Sequence, residues 1–130
     1  MKKNKKLERL PDAELDIMLV LWDADKPLAK SKITELLKDK RNWSVSTVQV
    51  LLTRLTNKSF VELVKEKRFN FYKAIVSEGE YKRYETKTFI ERMHENSFKN
   101  LIATLVENKT ITKDDIDEIA DIIRKADKDD

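Results

Sequence analysis

The residue types that most often carry catalysis are scarce in this chain. Among its 130 residues there is no cysteine, one histidine (His94) and one glycine (Gly79). No thiol nucleophile, disulfide or Cys-based metal site can form, and a single imidazole gives neither a metal pair nor a second anchor for a triad. A phosphate-cradling loop needs several glycines close together. The adjacent carboxylates Asp114 and Asp115 read as the acidic start of a helix, not as a metal site. His94 reads as a surface residue of a helix, and Trp22 and Trp43 as core anchors. The expectation is therefore no enzyme, no metal and no cofactor.

Binding is a better match to the side chains present. Val48, Leu51, Leu52 and Leu55 recur at i, i+3, i+4 and i+7, which predicts a helix over 46–58 anchored on one face. Its other face carries Ser46, Gln49, Val50, Thr53, Arg54 and Asn57: short polar groups, one arginine and no acid. Such a helix can lie in the major groove of double-stranded DNA without repelling phosphates. There Gln49 can pair with adenine, Arg54 with guanine or phosphate, Ser46 and Thr53 with either, and Val50 can meet a thymine methyl. Lys67 and Arg68, further on, and Lys2, Lys3, Lys5 and Lys6 could hold phosphates.

Elements must position that helix. The spacing of Leu15, Met18, Leu19 and Trp22 predicts a helix over 12–25, opened by Pro11 and three early acids. A second helix is expected over 29–39, with Ile33, Leu36 and Leu37 inward, and Ser44 or Ser46 offers the N-cap of the third. After Phe60 the pattern changes. Residues 61–65 and 69–75 are β-branched and aromatic runs of strand length, with Glu66, Lys67 and Arg68 as the hairpin tip. Three helices followed by a hairpin is the winged form of helix-turn-helix.

Beyond residue 77 the chain is helical again. Amphipathic stretches cover 78–94, 97–108 and 113–126, the last capped by Thr112 with Asp115 at its third position. Phe89, Phe98, Leu101, Ile102, Leu105, Ile116, Ile119, Ile122 and Ile123 form more apolar surface than these helices can cover among themselves. A dimerisation arm answers that surplus, because a two-fold dimer reads a palindrome with two modules. Charge divides at the same place. Residues 1–76 hold 17 Lys and Arg against 10 Asp and Glu, a net of +7, whereas residues 77–130 hold 10 against 14, a net of −4. The expected architecture is mainly α with a small β-hairpin: a winged helix-turn-helix domain over 1–76 and an all-α dimerisation arm over 77–130. The alternative is a winged-helix protein-interaction module with a helical scaffold arm. No apolar run approaches the ~18–20 residues needed to span a bilayer. The basic N-terminus has no apolar stretch behind it, so the cytoplasm is the expected compartment.

Ala13-Glu14-Leu15-Asp16-Ile17-Met18 with Leu21-Trp22, Trp43-Ser44 with Ser46-Thr47-Val48, and Leu51-Leu52-Thr53-Arg54-Leu55 with Lys58-Ser59-Phe60-Val61 follow one another at a recognisable spacing. They carry a resemblance, from about residue 10 to 125, to the penicillinase and methicillin-resistance repressors. Phe71-Tyr72, Lys87-Thr88-Phe89 and Phe98-Lys99-Asn100-Leu101 continue it in order. It implies a homodimeric winged-helix repressor of palindromic operators ahead of β-lactamase or related resistance genes, with intertwined C-terminal helices. The matching recognition positions are Ser46, Thr47, Gln49, Val50, Thr53 and Arg54, and the best-known members carry basic residues in place of Ser46 and Gln49. It also implies induction by a membrane sensor-protease that cuts the arm. The corresponding bond here is Thr104–Leu105, where the family usually has Asn-Phe. Without cysteine, the chain departs from the copper-responsive branch.

Overall fold

The structure is a computed structural model and describes residues 7–129. Lys2, Lys3, Lys5 and Lys6 lie outside the described residues. Two compact units divide the chain, the first ending at Glu85 and the second beginning at Thr86.

In the first unit, α1 (Asp12–Ala24), α2 (Lys30–Leu36), a single turn α3 (Lys38–Arg41) and α4 (Val45–Asn57) precede a hairpin of β1 (Val61–Glu66) and β2 (Phe69–Ala74). The hairpin is antiparallel, with Val61 opposite Ala74 and Glu66 opposite Phe69. The helix expected over 29–39 is broken at Leu37. That side chain drops into the core at 5% exposure, and the chain restarts as α3. Leu28 adds what the periodicity does not show. Its N–H donates to the Tyr72 carbonyl (3.0 Å) and its carbonyl accepts from the Tyr72 N–H (2.8 Å), so one residue forms a third rung beside β2.

Ile17, Met18, Ile33, Val48, Leu52 and Leu55 have no exposed surface and form the centre of the core. Burying side chains of this size contributes about 1.5–3 kcal/mol each. Tyr81, from the start of α5 (Glu78–Met93), closes the core. Its ring stands edge-on to Phe60 and tilted against Trp22, and its hydroxyl accepts from the Leu10 N–H at 2.9 Å. Burial pushes that hydroxyl up to about 12. Trp22 is the anchor its sequence context suggests: partly buried, it donates its indole N–H to the Val76 carbonyl. This order, three helices and a wing, is the expected winged helix-turn-helix.

The second unit holds the end of α5, then α6 (Phe98–Glu107) and α7 (Lys113–Asp129). Thr112 and Asp115 cap α7 reciprocally, each backbone N–H donating to the other's side-chain oxygen. Among the described residues no apolar side chain of this unit is buried. His94, expected on the surface, is only 8% exposed. Its Nδ1 lies 2.6 Å from Asn100 Oδ1 and its ring meets Phe89 edge-on. An aromatic neighbour and an amide partner are what draw a lone imidazole inside.

The turns are unusual for a chain with one glycine. Among the described residues Asp25, Ser59, Lys67, Glu95, Asn96 and Lys109 adopt φ between 51° and 67° without being glycine. Ser59 and Lys109 each follow a helix in the αL cap position. Ser59 donates to the Thr56 carbonyl and Phe60 to that of Leu55; Lys109 and Thr110 repeat the pattern on Val106 and Leu105.

Candidate nucleic-acid interface

α4 is held from below and free above. Val48, Leu51, Leu52 and Leu55 are buried. Ser44 is the N-cap, its Oγ accepting from the Thr47 N–H at 3.1 Å, which satisfies a donor the first turn leaves over. At 100° per residue, Ser46, Thr47, Gln49, Val50, Thr53 and Arg54 occupy an arc of about 160° opposite that anchor. All are exposed except Gln49, which is half-buried. Lys67 and Arg68 form the two-residue turn of the wing and are both exposed. Lys67 takes the left-handed φ of 60° there, a place usually given to glycine or asparagine in such hairpins.

The half-buried Gln49 differs from the others because its amide is already engaged. Its Oε1 accepts from Lys30 Nζ at 2.9 Å. Its Nε2 donates to Thr53 Oγ1 at 3.2 Å and lies 3.3 Å from the Tyr72 hydroxyl. These contacts join α2, α4 and the wing. Between the three elements runs a groove of about 260 Å³, with Lys30 and Arg68 among its walls and Gln49 and Tyr72 within it.

Two carboxylates of α1 fix the ends of α4. Glu14 is 2% exposed, and its Oε1 receives Lys58 Nζ at 2.6 Å, just past the last turn. Asp16 receives Arg41 Nε at 2.6 Å and Lys40 Nζ at 3.2 Å, immediately before the N-cap. Burial alone would raise the Asp16 carboxyl, but the hydrogen bonds from Arg41 and Lys40 outweigh it and hold it below its ordinary 3.8. Arg41 also lies over the Trp43 ring, 5.0 Å from its centroid. These roles are not visible in the sequence, where Glu14 and Asp16 read as acids suited to a helix start and Lys30 has no distinguishing context. Asp16 and Arg41 are 25 positions apart and Glu14 and Lys58 are 44 apart, so no local spacing links them.

The sites expected in the arm fall on α5, α6 and α7. Phe98, Ile116, Ile122 and Ile123 are between 37% and 66% exposed, and Phe89 is 41% exposed. Leu101, Ile102, Leu105 and Ile119 are half-buried. Phe98, Ile102, Ile116, Ile119 and Ile123 line an open apolar groove of about 340 Å³. Thr104 and Leu105 lie inside α6, where the Thr104 hydroxyl donates to the Asn100 carbonyl. Among the described residues no cluster of His, Asp and Glu could hold a metal ion, and no helix is long and apolar enough to cross a membrane.

Comparison with known proteins bears on this geometry. The family described as Penicillinase repressor matches residues 10–125. The methicillin resistance regulatory protein MecI of Mammaliicoccus sciuri is 29% identical over 122 residues, covering 94% of this chain and 98% of that protein. The penicillinase repressor of Bacillus licheniformis is 28% identical over 121 residues, covering 93% and 94%. Among solved structures, the Bacillus licheniformis BlaI monomeric form in complex with the blaP half-operator aligns at a TM-score of 0.51 and 31% identity. That alignment covers 60% of this chain and 94% of the other.

Proposed function

The chain belongs to the penicillinase repressor family of transcriptional repressors, and from that premise we propose that it acts as a homodimer on a palindromic operator. Each protomer sets α4 in a major groove, and its wing reaches the flanking backbone. The observation that carries this reading is the exposed, acid-free arc of α4 beside a cationic wing turn. Ser46, Thr47, Gln49, Val50, Thr53, Arg54, Lys67 and Arg68 are the residues assigned to DNA. β-Lactamase or other resistance or cell-wall genes are the proposed targets, and the relatives' names, a methicillin resistance regulatory protein and a penicillinase repressor, support resistance genes among them. The site of action is the cytoplasm, where the DNA is.

The second unit supplies the dimer. With no buried apolar side chain of its own and several large ones exposed, it gains most from a second copy of itself. Phe89, Phe98, Leu101, Ile102, Leu105, Ile116, Ile119, Ile122 and Ile123 are assigned to that contact.

Operator binding is tested by fluorescence anisotropy on duplexes from the gene's own upstream region. Affinity should fall linearly on a log–log plot against salt, as phosphate contacts release counterions. Val50→Glu changes a half-exposed side chain and leaves the fold intact, yet places an acid against phosphates. It should weaken binding about 100-fold, since like charges at an interface cost several kcal/mol. Absence of operator binding at low salt, or an unaffected Val50→Glu variant, defeats the reading.

Release of the operator would follow cleavage of Thr104–Leu105 by a membrane sensor-protease. A protease needs an extended substrate, and α6 has no buried side chain of its own to resist local opening. Co-expression with such a protease, followed by mass mapping, should yield fragments ending at Thr104. An arm that stays whole after induction excludes this route.

A further inference from the structure

The geometry points to a seat for one phosphate of the DNA backbone between α2, α4 and the wing, in which Lys30 is the ligand, Arg68 lines the same groove from the wing and Gln49 positions Lys30. This inference rests on the operator-binding reading and assigns Gln49 a different task from reading a base.

The hydrogen-bond inventory is the first argument. A glutamine amide has two N–H donors and one carbonyl oxygen. In this structure Oε1 accepts from Lys30, while Nε2 faces both the Thr53 and Tyr72 hydroxyls. To pair bidentately with adenine, Gln49 would have to take an N–H away from Thr53 or Tyr72 and share its carbonyl oxygen between Lys30 and the base. Recruiting Lys30 needs no such change: the amide already holds the ammonium of this long, flexible side chain at the groove. A lysine fixed before binding loses less side-chain entropy when it meets its anion.

Charge is the second argument. The groove, about 260 Å³, has two cations and no carboxylate among its described lining residues. Asn70 and the Tyr72 hydroxyl add neutral polar groups. Of the cations flanking α4, Lys58 is engaged by Glu14 and Lys40 and Arg41 by Asp16, while Arg54 and Lys67 do not line this groove. Lys30 contacts a neutral amide, which leaves its full charge for a ligand. A phosphodiester carries one negative charge shared by two acceptor-only oxygens, which suits a groove lined by a lysine and an arginine.

The test uses the full-length protein and an operator duplex that it binds. Lys30→Ala and Arg68→Ala should each lower the salt slope by about one and weaken all base variants of the duplex equally. Gln49→Ala should act likewise and be non-additive with Lys30→Ala. Neutral methylphosphonates are then placed singly along the duplex; at one position the Lys30→Ala defect should disappear. Inorganic phosphate at matched ionic strength should not displace the duplex. If it does, the groove takes small anions and the backbone assignment is wrong. An unchanged slope in Lys30→Ala overturns the seat. So does a Gln49→Ala defect confined to duplexes with adenine at one position. Failure of the unmodified protein to bind any duplex removes the functional reading itself, and the seat with it.

Discussion

Lys58→Met should cost the first unit about 3–5 kcal/mol, the usual penalty for stranding a buried charge. The Glu14 carboxylate is 3% exposed and, among the described residues, its one charged partner is the Lys58 ammonium at 2.6 Å. Removing the ammonium leaves a charge that water cannot reach. Small domains are stable by only about 5–15 kcal/mol in all, so the midpoint of thermal unfolding should fall by on the order of 15 °C. The double replacement, Glu14→Met with Lys58→Met, should recover most of the loss, because two apolar groups of similar volume need no partner. Urea denaturation of the three proteins decides the matter. A single variant as stable as the parent would mean the pair is solvated. The pair also has a positional role: it ties the exit of α4 to α1 as Asp16 ties its entry, so the face proposed to read DNA is oriented by ion pairs to α1.

The largest effect on assembly is expected from Ile123→Glu. Ile123 is 51% exposed and lines the apolar groove of the second unit. A carboxylate there would be desolvated in any dimer. Light scattering should show the mass falling from about twice 15.4 kDa to 15.4 kDa. Binding to a full palindrome should weaken by about 10²–10⁴-fold, because the second half-site is no longer engaged at high effective concentration. Binding to an isolated half-site should not change. A parent protein that is already monomeric, or a variant that remains dimeric, contradicts the assignment of this face. A monomeric parent would favour the protein-interaction module instead.

The helices of the first unit were legible in the sequence because most of their apolar spacing meets a single core: Met18, Ile33, Leu37, Val48, Leu51, Leu52 and Leu55 are buried. Leu19 and Leu36, which belong to the expected apolar faces, are instead 38% and 49% exposed, and α1 turns Ile17 and Leu21 inward. The strands were legible because β-branched and aromatic runs flank a short polar tip. What escaped lies between elements. Leu28 pairs with Tyr72 through backbone alone, and one residue has no period. Lys30 meets Gln49 only because α2 crosses α4. Glu14 and Asp16 look the same whether they face water or an ammonium. His94 follows the same logic: its burial depends on Asn100, from the next helix. The candidate site was thus readable as a list of exposed side chains on α4, while the contacts that arrange them were not.

The left-handed residues at the ends of the elements have a consequence for how these boundaries arise. Asp25, Ser59, Lys67 and Lys109 carry Cβ atoms and resist the conformation they adopt, by about 1–2 kcal/mol each. Nothing local tells α4 to stop at Asn57. It stops because Phe60, 1% exposed, is claimed by the core and turns the chain at Ser59. Punctuation in this molecule is therefore written by tertiary packing: where each helix ends is a property of the assembled unit, and a chain that has lost its core would lose its grammar as well.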